Sequence, residues 1–245
     1  MTPTDDLRLE MRERPAGRPV MFQRWSGLLF LHWRMDPAEI QRRLPNGLHV
    51  DTFGGAAWVG VVPFFMERIR PVGIPAVPWL SWFLELNVRT YVYDDKGRPG
   101  VWFFSLDCNQ PVAVEFARKV FHLPYQHAAM KAEGAGGGVR YQSRRRGAGV
   151  SAEFRYASAG DARPAEPGTL EWFLVERYLL FSTNRAGRIF IGRVNHAPYR
   201  IAPASCPEWS VEPLRLNGFA DPERAPDSML VAEPVDVAVF PLRVS

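Results

Sequence analysis

Glu85, Asn87, Arg89 and Tyr91 occupy every second position of the segment Phe83–Val92, and Leu84, Leu86, Val88, Thr90 and Val92 lie between them. A strand sends alternate side chains to opposite faces, so the four polar groups share one face. Such alternation also fits an ordinary sheet with one wet face. The residue types point further, because an acid, an amide, a guanidinium and a phenol in one row can hold a polar ligand in a cavity. Glu85 is the acid/base candidate, Arg89 an anion anchor through its planar fork, and Asn87 and Tyr91 are hydrogen-bonding groups. Four residues of extended chain separate Glu85 from Arg89 by about 13 Å, so they reach one pocket, with Asn87 placed to bridge them.

His32 and His196 each lie within or at the end of an apolar strand. They read either as satisfied core histidines or as residues facing Glu85. Glu176-Arg177-Tyr178 closes a short helical pattern. The bland reading is an ion pair of Glu176 with Arg118 or Arg89; the sharper one makes Arg177 a second anion anchor beside Tyr178. Other chemistries find less support. His122 and His127 are five apart, off the i, i+4 spacing of a helical zinc pair, so no metal or cofactor is expected. There is no Gly-x-Ser-x-Gly and no phosphate loop joining strand to helix, and Cys108 reads as packing rather than a nucleophile.

The chain has 245 residues, 47% of them hydrophobic and 13% aromatic, which suffices for one large core or two small ones. The net charge of +4 is almost all arginine, with lysine only at Lys96, Lys119 and Lys131. No nucleic-acid signature accompanies it, and Arg144-Arg145-Arg146 reads as a solvated loop. Two distant cysteines fit a reducing cytoplasm. The N-terminus lacks a signal-peptide apolar core, and the apolar run Trp58–Met66 is too short to cross a bilayer.

The elements that must position these residues follow from local pattern. Residues 1–20 read as a loose arm and 21–245 as one mostly β domain with three short helices. Gly27–Met35 and Ala56–Arg68 read as strands. Asp36-Pro-Ala-Glu39 starts a two-turn helix, with Asp36 as cap and Glu39 reaching back to it. Asp94-Asp-Lys-Gly97 turns the Glu85 strand into a returning strand, Gly100–Asp107. Arg70–Pro78 is a loop suited to a pocket mouth. In Pro111–Phe121, Val112, Phe116 and Val120 recur at helical spacing as a buried stripe. Gly134–Gly138 reads as flexible, Val139–Tyr141 and Val150–Tyr156 as a hairpin pair, Leu170–Tyr178 as a third helix, and beyond Ala202 the chain is mostly irregular to a last strand, Val235–Phe240.

Several segments together resemble a known family: Leu31-His-Trp33, Leu44-Pro-x-Gly-Leu48, Asp51 with Trp58-Val-Gly-Val-Val-Pro-Phe64, Glu85 to Val92, Gly100 to Leu106, Ala117-Arg118 through Leu123-Pro-Tyr125, Glu176-Arg-Tyr178 and His196. Residues 20–205 thereby resemble the YqjF-like family of uncharacterised bacterial proteins, grouped by fold with acetoacetate decarboxylase. The resemblance implies a closed, largely antiparallel β-barrel with a buried pocket, not the activity. It also implies that Glu85 is the counterpart of the decarboxylase's pocket glutamate. Tyr125 and Gln126, after Arg118, stand where the resemblance places the lysine pair. Neither can form an iminium, so Schiff-base decarboxylation loses its central group. The resulting expectation is a barrel binding a small, anionic, organic-acid or oxo-acid-like ligand, with Glu85 and Tyr125 catalytic. Asn87, Arg89, Tyr91, Arg118, Gln126, Arg177, Tyr178, His32 and His196 would contact the ligand. A non-catalytic binding barrel and an internal ion-pair network are the alternatives.

Overall fold

A computed structural model describes residues 2–245. The expected loose arm instead carries helix α1 (Asp5–Arg12), capped by Thr4 and bearing Asp5 and Asp6 in its first turn. Its Arg8 and Met11 are buried, so the segment is docked on the rest of the chain. Strands β1 (Met21–Ser26) and β2 (Leu28–Met35) flank Gly27, which holds a positive φ of 55°. Helix α2 (Pro37–Gln41) starts as read, the Asp36 carboxylate accepting from the Ala38 amide at 2.9 Å. Glu39, however, turns to Arg43 at 3.3 Å rather than back to the cap. Then come β3 (Leu48–Val50), β4 (Ala57–Pro71), β5 (Phe83–Asp94) and β6 (Pro99–Cys108). The β5–β6 hairpin is closed by Asp94, whose carboxylate accepts from the amides of Lys96 and Arg98.

Helix α3 (Pro111–Phe116) runs into a π-helical turn at Ala117–Phe121, ended by His122 in the left-handed region. Its burial is the reverse of the expected stripe: Val114, Ala117 and Phe121 face inward, while Val112, Phe116 and Val120 are exposed. The helix is apolar on both sides, so periodicity did not identify the inner one. The residues read as a flexible glycine stretch are the tip of a long hairpin, β7 (Tyr125–Ala135) and β8 (Gly138–Arg145), followed by β9 (Ala152–Ser158) and β10 (Arg163–Pro164). Helix α4 (Leu170–Val175) stops before Glu176. Next are β11 (Leu179–Thr183), β12 (Ile189–Asn195) and β13 (Arg200–Glu208). Beyond these, α5 (Glu212–Arg215), β14 (Ser228–Ala232), β15 (Val235–Val239) and β16 (Arg243–Val244) give order to the stretch expected to be irregular. Its prolines disguised β13, which carries Pro203 and Pro207. The described residues thus hold five α-helices rather than three. None of their helices is long and apolar enough to cross a membrane.

All sixteen strands belong to one large mixed sheet, mostly antiparallel, with parallel pairings at β6–β7 and β6–β11. It closes on itself twice rather than forming one simple barrel. One ring runs β1-β15-β12-β11-β6-β5-β4 back to β1, and a second runs β6-β7-β8-β9-β13-β14-β2-β4-β5 back to β6. Strands β4, β5 and β6 are common to both rings. Leu84, Leu86 and Val88 join one core with Tyr141 and Phe154, whereas Tyr91 joins another with Phe64, Leu106, Tyr125 and Phe173. Strand β5 is therefore covered on both faces, and of its polar row Glu85, Asn87 and Tyr91 are buried and Arg89 partly so.

Candidate functional site

Backbone register sets the frame. Glu85 lies opposite Phe64 of β4 and Cys108 of β6, Asn87 opposite Val62 and Leu106, and Arg89 opposite Gly60 and Phe103. On β2, His32 is also the partner of Gly60. His32 and Arg89 thus flank a residue without a side chain, and a Cβ at Gly60 would lie 3.0 Å from the imidazole and 3.6 Å from Cγ of Arg89. Glycine here makes room for both groups, a role that the turn-residue reading of glycine does not anticipate.

Glu85 is buried, and the Tyr125 hydroxyl donates to its Oε2 at 2.5 Å. The two meet because β7 starts parallel to β6, pairing Tyr125 with Leu106 and bringing its ring to the Glu85 face. Burial pushes the Glu85 carboxyl up from 4.5 to about 7, against the opposing hydrogen bonds of Tyr125 and then Asn87. Burial likewise raises the Tyr125 phenol, helped by the nearby Glu85 charge, and lifts Cys108 to about 12. Cys108 is therefore a thiol in this fold, not a nucleophilic thiolate.

Arg89 and Tyr91 form a second group. Tyr91 Oη donates to the Leu174 carbonyl at 2.7 Å, and Nη2 of Arg89 donates to the same carbonyl at 3.2 Å. Since the phenol's one proton is committed to Leu174, the 2.7 Å contact between His32 Nε2 and Tyr91 Oη is a bond donated by the imidazole. His32 Nδ1 is then a bare acceptor. Burial and the Arg89 charge hold His32 well below its usual range, which keeps it neutral. His32 Nδ1, Asn87 Oδ1 and Arg89 Nε are buried without a hydrogen-bond partner among the described residues. Arg89 also has no carboxylate within salt-bridge distance among them; its guanidinium lies over the rings of Phe30 and Tyr91.

Arg177 is buried beside this group, but its carboxylate is Asp51, at 3.2 Å. Asp51 is in turn held by Arg8 of α1 through two bonds of 2.6 and 2.8 Å. The Arg177 guanidinium covers Phe173 at 4.4 Å and Tyr91 at 5.2 Å, and desolvation lowers it to about 10. The expected pairing of Glu176 with Arg118 or Arg89 does not form. Glu176 instead accepts from the hydroxyl of Tyr178 and, at 2.9 Å, from the amide of Tyr199. Burial raises its carboxyl, with Tyr178 opposing. Tyr178 stacks on His196 at 4.8 Å. His196 donates from Nδ1 to the Ala197 carbonyl at 2.7 Å, leaving Nε2 a bare acceptor, and burial lowers it to about 4. Its ring is 5.7 Å from Trp25, whose Nε1 also lacks a partner among the described residues.

The structure therefore brings Glu85, Asn87 and Tyr125 together, and His32, Arg89, Tyr91 and Arg177 together. Neither histidine hydrogen-bonds Glu85. Arg118 and Gln126 stand apart from both groups. Arg118 donates from Nε to the Tyr125 carbonyl at 2.7 Å and pairs with exposed Glu115, bracing the entry to β7. Gln126 follows Tyr125 along β7 and so projects to the opposite face, within 3.5 Å of Arg118. Sequence reasoning missed Arg8 and Asp51. Asp51 appeared only within a family motif, and the Arg8 pair spans 43 residues, beyond any local signal. All three lysines are exposed. Two surface hollows are present, one beside Arg163, Thr169 and Leu230, the other beside Asn46, Asp95 and Arg188; neither is lined by the polar row.

Known proteins of similar sequence and fold agree with this architecture. The chain is 37% identical over 233 residues, 94% of each chain, to the uncharacterized protein YqjF of Bacillus subtilis (strain 168). Among solved structures, acetoacetate decarboxylase from Legionella pneumophila aligns with a TM-score of 0.62 at 13% identity, covering 96% of this chain and 94% of that one. The enduracididine biosynthesis enzyme MppR, complexed with the condensation product of pyruvate and imidazole 4-carboxaldehyde, aligns at 0.63 and 15% identity, covering 93% and 90%. These likenesses establish an acetoacetate decarboxylase-like fold. With residues 22–236 matching the family model itself, the chain belongs to the DUF2071 family of uncharacterized conserved proteins.

Proposed function

We propose that the inner face of β2, β4 and β5, beneath α4, binds a small organic acid, with Arg89 as the carboxylate anchor and the Glu85–Tyr125 pair able to move a proton. The carrying observation is Arg89: a half-buried guanidinium whose Nε is buried and unpartnered, with no carboxylate beside it among the described residues. A partly desolvated charge without a counter-ion is held at a cost, and an anionic ligand offsets it. The unpartnered acceptors His32 Nδ1 and Asn87 Oδ1 suit a ligand that also carries a hydroxyl or N–H. A carboxyl near 7 can both give and take a proton at neutral pH. Oxo acids are sensible first probes because MppR, which shares the fold, is complexed with pyruvate in one solved structure.

A second reading, an internal polar network without a ligand, is favoured by the mutual satisfaction of Glu85 and Tyr125 and by the two hollows lying elsewhere. Thermal-shift titration with pyruvate, acetoacetate, lactate and 3-hydroxybutyrate separates the two, since a ligand bound only by the native state raises the melting temperature. Binding predicts a saturable rise that Arg89→Leu abolishes. No rise with any of the four acids supports the ligand-free network.

A further inference from the structure

Nine of the eleven large hydrophobic side chains exposed by the described residues lie in the segments 72–82 and 112–120 or at Val20 beside them. They form a face rather than a scatter. The Val72 amide donates to the Val20 carbonyl at 3.1 Å. Gln110 ties the two segments together, Nε2 donating to the Trp79 carbonyl at 2.8 Å and Oε1 accepting from the Val112 amide at 3.1 Å. The stretch Pro71–Trp82 contains no charged residue, and Trp79 is 70% exposed at a positive φ of 70°. Next to it, α3 and its π turn bury Val114, Ala117 and Phe121 on one side and show Val112, Phe116 and Val120, each about half exposed, on the other. A helix apolar on opposite sides is a helix with a packing layer on each. Together these residues expose on the order of 700 Å² of apolar surface, above the 300–600 Å² of the largest patch on a typical monomer and close to the ~800 Å² that one partner contributes to a standard interface.

We propose that this face closes on a second copy of the same chain about a twofold axis. The area matches one side of such an interface. The helix's one carboxylate does not oppose such a copy: Glu115 is already paired with Arg118 and His127 of its own chain, so a facing copy meets no unpaired carboxylate to desolvate.

Analytical ultracentrifugation of the full chain at micromolar concentration tests this. The wild type is expected to sediment as a dimer. Val112→Lys and, separately, Phe116→Glu should weaken it by roughly 30-fold or more, as for a residue at the centre of an interface. Val150→Glu, exposed but outside the face, should leave the dimer unchanged. Phe116 lies 5.8 Å from Phe121, so thermal melting accompanies each variant, and Val112→Lys, which points outward, keeps the test open if Phe116→Glu unfolds. A monomeric wild type, or a dimer that Val112→Lys leaves intact, overturns the proposal. So does a monomer that co-sediments with phosphatidylserine vesicles, which assigns the face to a membrane.

Discussion

Replacing Glu85 with glutamine should make the protein's stability less dependent on pH, and the structure sets the size of the effect. The Glu85 carboxyl stands at about 7 in the fold against 4.5 in a solvated chain, chiefly because it is buried. Between those values the unfolded chain has released the proton and the folded one has kept it. Wild-type stability therefore falls as pH rises from 4.5 to 7 and is level beyond, a loss of roughly 3 kcal/mol from this group. Glutamine cannot ionise. Its carbonyl still accepts the Tyr125 hydroxyl, and Asn87 can turn its amide over to receive the new N–H. Near pH 5 the variant and wild type should have similar stability; at pH 8 the variant should be more stable by roughly 3 kcal/mol. Urea denaturation of both proteins at pH 5, 6, 7 and 8 measures this directly. Contributions from Glu176, Asp107, His32 and His196 are present in both proteins and cancel in the difference. A difference constant across the range to within about 0.5 kcal/mol, the effect of a change that touches nothing, would refute the burial argument and return Glu85 to a hydrated setting. The outcome does not depend on whether the interior binds a ligand. The substitution removes no partner of Arg89, which is held by Leu174 and Tyr91.

Two further outcomes follow from the same geometry. Arg8→Ala leaves the buried Asp51 carboxylate with Arg177 alone and should cost about 3 kcal/mol in urea denaturation; a loss under about 1 kcal/mol would mean that α1 is not anchored through this pair. Borohydride reduction in the presence of labelled acetoacetate should leave no covalent label above background, because Lys96, Lys119 and Lys131 are all exposed and Tyr125 occupies the position facing Glu85. A stoichiometric label on any lysine, located by peptide mapping, would contradict this.

Local pattern determined a good deal. The period-two row at 85–91, the Asp94–Gly97 turn and the returning strand were legible because a hairpin is specified by residues near one another in the chain. The start of α2 at Asp36-Pro37 was legible for the same reason, and the motifs together identified the family. Helix α3 was visible as a helix, but its inner side was not, since Val112, Phe116 and Val120 and the residues Val114, Ala117 and Phe121 are equally apolar. Only the sheet packed beneath it made the choice. The prolines of β13 carried breaker signals that partner strands overrode, whereas Gly136 and Gly137 make the turn between β7 and β8 while Gly134 and Gly138 lie within the strands.

The candidate site divides along the same line. Period-two alternation placed Glu85, Asn87, Arg89 and Tyr91 on one face, and the family resemblance put Tyr125 and Gln126 where it implies the Schiff-base lysines. Tertiary structure decided whom each side chain meets: Tyr125 with Glu85 across 40 residues, Arg8 with Asp51 across 43, and Arg177 with Asp51 across 126. It also decided that Gly60 should leave the space shared by His32 and Arg89. Periodicity records only which way a side chain points from its own backbone. Its partner is set by strand register and by the closure of the sheet, which bring together residues whose separation along the chain carries no local signal.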